Sequence, residues 1–85
     1  MGVTIVMYTN EWCHLCSASR ALAVGLPIEE RDIEEHMDFC LSNDLTLVPT
    51  FIALDGETIL AKKVGLLTRE ELEEFIKEHN GTKTL

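Results

Sequence analysis

The residues whose types and spacing could carry out chemistry are two cysteines, Cys13 and Cys16, in a C-x-x-C pattern. A run of β-forming residues, 3–8, precedes them, and helix-forming residues come after them. Cys13 would then lie at a helix N-terminus, where unpaired backbone N–H groups and the helix dipole stabilise a negative charge. Because the thiolate is the attacking form in disulfide exchange, this position favours Cys13 as a nucleophile. Cys16, one helical turn further on, could close a disulfide with it.

A second interpretation of the cysteine pair is half of a zinc site. Structural zinc needs about four ligands, usually from two such pairs or from one pair and two spaced histidines. The other candidate ligands are His14, His36, Cys40 and His79, and the sequence has neither a second C-x-x-C nor an H-x₃₋₅-H pattern. The spacing therefore favours redox chemistry without a metal, with His36 and His79 expected at the surface or rim. A structural disulfide, which would close only a small loop, and two unreactive core cysteines remain as alternatives.

Length and composition predict one globular domain over residues 1–85, and we expect a monomer. The net charge of −8 argues against nucleic-acid binding, which needs clustered Lys and Arg. The start lacks a secretory signal pattern and no apolar run approaches membrane-spanning length, so we expect a cytoplasmic protein without membrane contact. The tripeptide 80–82 matches a glycosylation acceptor, but without secretion we interpret it as a helix end.

The order of hydrophobic patterns and breakers predicts the elements that would position the cysteines. The first two strands need a crossover helix and so pair in parallel, whereas the last two form a hairpin around Asp55-Gly56. This gives an α/β fold of order β-α-β-α-β-β-α, with a mixed four-stranded sheet and helices on both faces. The second strand is mostly polar and would lie at the sheet edge. The predicted bounds are strands 3–8, 28–33, 51–54 and 57–64, and helices 13–24, 34–42 and 68–80.

Two helices carry specific local signals. Thr68 with Glu71 forms a capping box before the last helix, and Leu67 with Leu72 forms a hydrophobic staple. Asn80-Gly81 would end that helix.

The middle helix has apolar residues at helical spacing, and either Asp32 or Glu34 would cap it. One of these apolar residues is Cys40, which we therefore expect to be buried and inert. The predicted stripe consists of Ile33, Met37, Cys40 and Leu41.

Three stretches together are typical of one superfamily: residues 3–16 with the C-x-x-C, Val48-Pro49-Thr50-Phe51, and Gly65 before the last helix. With them the chain resembles the thioredoxin superfamily and, within it, the small glutaredoxin-like redoxins. The resemblance implies a thioredoxin-like fold with a cis bond between Val48 and Pro49, facing the cysteines. It also implies that Val48 and Pro49 contact the substrate, Val48 through its backbone. Trp12, beside the first cysteine, we interpret as a packing and substrate-contact residue.

The same resemblance implies a thiol–disulfide oxidoreductase with Cys13 as nucleophile and Cys16 as resolving cysteine, without a metal or organic cofactor. Its substrates would be protein or small-molecule disulfides, and its electron donor a reductase or glutathione. His14, if protonated, would stabilise the Cys13 thiolate, whereas the carboxylate of Glu11 would oppose it. The rival functions are a non-catalytic interaction module that binds near Pro49 and a thiol pair that holds a soft metal.

The dipeptide His14-Leu15 between the cysteines differs from the Pro-Tyr usual in glutaredoxins and the Gly-Pro of thioredoxins. Asn10 and Glu11 stand where glutaredoxins tend to carry a cation for the glutathione carboxylate. A single Gly65 stands where they tend to have a Gly-Gly turn followed by acidic residues. These departures predict poor use of glutathione and favour thioredoxin reductase as the electron donor.

Overall fold

The computed structural model describes residues 2–80, and the element order is the predicted one. Within these residues no helix is long and apolar enough to cross a membrane. A 3₁₀ turn at Ile33–His36 precedes the second helix. The strands are β1 Thr4–Thr9, β2 Ile28–Asp32, β3 Thr50–Asp55 and β4 Thr58–Val64, and the helices are α1 His14–Ala23, α2 Met37–Ser42 and α3 Arg69–Asn80.

The four strands form one mixed sheet in the order β2-β1-β3-β4. β1 pairs in parallel with β2 and antiparallel with β3, which pairs antiparallel with β4. β1 is central because its side chains are apolar towards both faces, and residues 5–9 are all buried. The polar β2 lies at one edge, as predicted. Lys62 and Lys63 lie on β4 at the other edge, where lysines discourage pairing with another chain.

The core has two parts, one on each face of the sheet, because successive strand residues point to opposite faces. α1 and α3 pack on one face, and residues of α2 and the loop after it pack on the other. This confirms the predicted thioredoxin-like layering with helices on both faces. The first part contains Ile5, Met7, Phe51, Ala53, Leu72, Phe75 and Ile76, and the second contains Val6, Tyr8, Cys40, Leu45, Ile52 and Leu54.

The predicted apolar stripe of the second helix is wrong in part. Cys40 is buried, as predicted, but Met37 and Leu41 are 46% and 60% exposed. Residues 33–36 form a 3₁₀ turn with about three residues per turn, so α-helical spacing counted from Ile33 assigns residues of α2 to the wrong face. The cap is Asp32, whose side chain accepts a hydrogen bond from the backbone N–H of Glu34 at 2.8 Å.

The hairpin between β3 and β4 is shifted by one residue from the prediction. Asp55 still pairs with Thr58, so the two turn residues are Gly56 and Glu57. Gly56 has φ +65°, which a glycine adopts at no steric cost. The turn therefore uses the predicted glycine, in its first central position rather than its second.

The start of α3 confirms both predicted local signals. The backbone N–H of Thr68 donates to Glu71 Oε1 at 2.8 Å, and the N–H of Glu71 donates to Thr68 Oγ1 at 3.1 Å. Leu67 is partly buried against the cluster that contains Leu72. The predicted end of this helix at Asn80-Gly81 and the glycosylation acceptor at 80–82 both extend beyond the described residues.

Candidate active site

Asn10 fixes the loop that joins β1 to the cysteines. Its side chain accepts a hydrogen bond from the backbone N–H of Trp12 at 3.0 Å and donates to Asp32 Oδ1 at 3.4 Å. Its backbone oxygen accepts from the N–H of Cys13 at 3.1 Å. From the sequence, Asn10 is notable only as an uncharged residue where a cation would bind glutathione. Its tendency to bond neighbouring backbone in turns was the signal that could have revealed this role.

Cys13 caps the N-terminus of α1, and the helix begins one residue later than predicted, at His14. The backbone N–H of Cys16 donates to Cys13 Sγ at 3.1 Å. On its other side the Cys13 thiol donates to the backbone oxygen of Val48 at 3.6 Å. The half-buried sulfur therefore lies against a backbone donor that favours a negative charge, as a helix N-terminus does.

Cys16 lies behind Cys13 and is fully buried. Burial, and then its hydrogen bond to Cys13, raise the pKa of Cys16 from 9.0 to about 11. Cys16 therefore remains a thiol near neutral pH, while Cys13 keeps access to solvent. The pair is unbridged in this structure, and its two members are chemically unequal.

The loop before β3 brings Val48 and Pro49 to the cysteines, as the resemblance implies. The Val48–Pro49 bond is cis, Pro49 is buried, and Val48 is half-buried. The backbone oxygen of Pro49 accepts from the N–H of Gly65 at 2.8 Å, which ties this loop to the end of β4. Gly65 has φ +103°, a conformation that favours glycine. Backbone from the loop before β3 thus borders the Cys13 thiol, and the end of β4 is bonded to that loop.

The other predicted site residues border the pair but do not bond to it. Trp12 is 77% exposed, and His14 and Glu11 are exposed. Within residues 2–80 the Cys13 side chain bonds to Val48 and to the backbone of α1, not to His14 or Glu11. The electrostatic effects proposed for those two residues therefore stay predictions.

Several large apolar side chains in the segments around the cysteines are exposed to solvent. Clusters of such side chains on a soluble protein are typical of interaction surfaces. Of these side chains, Trp12 is the one predicted from the sequence to contact the substrate. We call the set the apolar rim: Trp12 in the loop before α1, Leu15 in its first turn, Leu47 before the cis bond and Leu66 after Gly65.

The third cysteine and the remaining histidines lie apart from the pair. Cys40 belongs to the second part of the core, and burial raises its pKa. His36 lies edge-on to Tyr8, and the His79 ring is 4.9 Å from that of Phe75. In the described part of the chain no group of three or more His, Cys, Asp or Glu side chains is arranged to hold a metal ion.

Known proteins resemble the chain in sequence and in fold. No family model matches it. Mitochondrial thioredoxin of Bos taurus is 34% identical over 47 residues, which are 55% of this chain and 28% of that protein. Mitochondrial thioredoxin of Mus musculus is 23% identical over 82 residues, 87% of this chain and 49% of that protein. The chain therefore spans about half the length, or less, of these relatives.

The structure of a mutant thioredoxin from Halobacterium salinarum superposes with a TM-score of 0.81 at 18% identity. The match covers 93% of this chain and 75% of that one. The chain thus has the thioredoxin fold. Together with the similarity to mitochondrial thioredoxins, this fold supports its assignment to the thioredoxin superfamily.

Proposed function

We propose that this chain is a dithiol–disulfide oxidoreductase, a short glutaredoxin-like redoxin that reduces protein or small-molecule disulfides through Cys13 and Cys16. The observation that carries the proposal is the inequality of the two thiols. Cys13 is half-buried and receives a backbone N–H at 3.1 Å, whereas Cys16 is buried and protonated behind it. Cys13 is suited to attack the substrate first, and Cys16 is suited to attack only after the mixed disulfide with the substrate has formed.

In the first step the Cys13 thiolate attacks one sulfur of a substrate disulfide. A bond forms between Cys13 Sγ and that sulfur, and the other sulfur leaves with the electron pair and takes a proton from water. Cys16 then loses its proton and attacks Cys13 Sγ, which releases the second substrate sulfur. The substrate gains two electrons, and the chain is left with a Cys13–Cys16 disulfide.

The surroundings of the pair support a protein or peptide as substrate. The backbone of Val48 lies beside Cys13, and the members of the apolar rim are exposed in segments next to the cysteines, the cis bond and Gly65. Trp12, the most exposed member, offers a large apolar face at low entropy cost. In this proposal Val48, Pro49 and Trp12 bind the substrate.

The charges near the site support a reductase rather than glutathione as electron donor. Glutathione carries carboxylates, which proteins bind with cations. Glu11 is the charged residue of the loop before Cys13, and Arg20 of α1 is already paired with Glu30 at 2.7 Å. A cytoplasmic, monomeric protein remains part of the proposal.

The test is the reduction of insulin disulfides with dithiothreitol as electron source, followed by turbidity. The unchanged chain should accelerate precipitation, and both Cys13→Ser and Cys16→Ser should abolish turnover. Cys40→Ser is the matched control, because it removes a thiol from the other face of the sheet and should keep the activity. An unchanged chain that binds insulin without reducing it would support the interaction module instead.

A further inference from the structure

An ion pair links the helix that carries the cysteines to the edge strand beside it. Arg20 of α1 donates from Nε to Glu30 Oε2 of β2 at 2.7 Å. The same oxygen accepts from Thr9 Oγ1 at 2.8 Å, and Thr9 is buried. Both charged side chains are exposed, at 42% and 39%. A surface ion pair held by a third, buried partner is more ordered than the average exposed pair.

This ion pair lies on the same side of α1 as the cysteines. Arg20 is four residues after Cys16, and positions i and i+4 are neighbours on a helix surface. The positive charge of Arg20 acts favourably on the ionised forms of both Cys16 and Cys13. Glu30 therefore holds the guanidinium of a residue that lies one helical turn after the buried thiol.

We propose that Arg20, held by Glu30 and Thr9, is a positioning residue for the resolving step, in which its charge stabilises the Cys16 thiolate that attacks Cys13 Sγ. This role rests on the proposed oxidoreductase function. In the mixed disulfide Cys13 carries neither a charge nor a thiol proton, so its hydrogen bond and its charge no longer raise the pKa of Cys16. Burial still raises that pKa, and the hydrogen bond from the backbone of Asn10 and then the charge of Arg20 lower it.

Among the described residues, two elements supply the charged groups that act on Cys16 or are hydrogen-bonded to its surroundings. α1 supplies Cys13 and Arg20, and β2 supplies Glu30, with Asp32 reached through the amide of Asn10. Other nearby segments supply uncharged groups: Thr9 from β1 and the Val48 carbonyl from the loop before β3. α3 contributes Arg69, which binds the carbonyls of residues 22 and 24 at the far end of α1. Among residues 2–80, Arg20 is therefore the cation whose charge acts on the resolving thiol.

In this step the Cys16 thiol gives its proton to water, and the thiolate attacks Cys13 Sγ. The bond between Cys13 and the substrate sulfur breaks, the electron pair leaves on the substrate sulfur, and solvent protonates it. No further oxidant or reductant is needed. Only the first event, loss of the proton, should depend on Arg20.

The experiment measures the resolving step by itself with dithiobis(nitrobenzoate), whose thiolate product is coloured. Attack by Cys13 releases the first thiolate at a rate set by reagent concentration. Attack by Cys16 releases the second at a rate independent of it. The rate of the second phase is measured from pH 6 to 10 in the unchanged chain, Arg20→Gln, Arg20→Lys and Thr9→Val. Lys77→Gln, which changes the net charge equally at an exposed position on α3, is the matched control.

Arg20→Gln should move the pH midpoint of the second phase upward by about 0.5 to 1 unit, which slows release roughly three- to tenfold below that midpoint. Arg20→Lys should restore most of the profile, Thr9→Val should give a smaller upward shift, and Lys77→Gln should give none. A second phase in Arg20→Gln with the unchanged midpoint would overturn the role of Arg20 and leave the oxidoreductase intact. Absence of a second phase in the unchanged chain would instead overturn the proposed function.

Discussion

The backbone N–H of Cys16 donates to the sulfur of Cys13 across 3.1 Å. One residue thus stabilises charge on the other through its main chain while keeping its own thiol buried. The same first turn of α1 therefore makes the two thiols unequal, and this inequality sets the order in which they react.

The first prediction concerns that order. With limiting iodoacetamide at mildly acidic pH, Cys13 should be alkylated before Cys16, because burial and a raised pKa keep Cys16 protonated and inaccessible. Cys16→Ser should form a mixed disulfide with a substrate and fail to release it, so a trapped adduct should accumulate. Mass spectrometry of peptides from the labelled and trapped proteins measures both. Modification of Cys16 first would contradict the mechanism.

The second prediction concerns stability at alkaline pH. The pKa of Cys16 is raised to about 11 in the folded chain, so the native state binds a proton that the unfolded chain loses near pH 9. The stability that Cys16 contributes is therefore present below pH 9 and is lost as the pH rises towards 11. For the reduced chain we expect a loss of about 1–3 kcal/mol over this range from this thiol.

Urea unfolding of the reduced chain at pH 8 and pH 10.5 measures this loss. Cys16→Ser is the matched control because serine does not titrate there, so it should lose less stability between the two pH values. Equal losses in both proteins would show that Cys16 is not the source.

The third prediction concerns Cys40. It is 2% exposed in the second part of the core, and burial raises its pKa. It should resist alkylation in the native chain and react fully in urea. Quantitative labelling at both conditions measures this protection, with Cys13 as the internal reference for an accessible thiol. Rapid native labelling of Cys40 would mean that α2 opens from the sheet.

The parts of the fold that the sequence predicted are those governed by local signals. The capping box at Thr68 and Glu71 uses bonds three residues apart, and the alternation along β1 reports burial on two faces. The location of Cys13 at a helix start was predictable from the strand and helix patterns on either side of it. Those signals are contained in a few neighbouring residues, so no knowledge of distant contacts was needed.

The features that the sequence could not predict depend on contacts between distant segments or on small changes of backbone period. The 3₁₀ turn before α2 shifted which side chains face the core, and no residue type in it signals that change of period. The bond from Thr9 to Glu30 and the pairing of Glu30 with Arg20 join segments that only the parallel pairing of β1 with β2 brings together. The bond from Asn10 to Asp32 depended likewise on that pairing, whereas the bond from the Trp12 N–H to Asn10 is local and had a signal in the residue type.

The last prediction concerns the electron donor. Because Glu11 stands where a cation would bind a glutathione carboxylate, the unchanged chain should be reduced poorly by glutathione with glutathione reductase and well by thioredoxin reductase. Glu11→Lys replaces a repulsive charge with an attractive one, and we expect a severalfold lower KM for glutathione, with a weaker effect at high salt.

Glu57→Lys is the matched control for that substitution. It makes the same charge change at an exposed position in the β3–β4 turn. This turn is at one end of β3, whereas Pro49 precedes the other end, so the control tests the effect of net charge alone. Steady-state rates with each donor, measured at two salt concentrations, separate the local effect from the global one. Efficient glutathione use by the unchanged chain, or an equal gain in both variants, would show that Glu11 does not set the choice of donor.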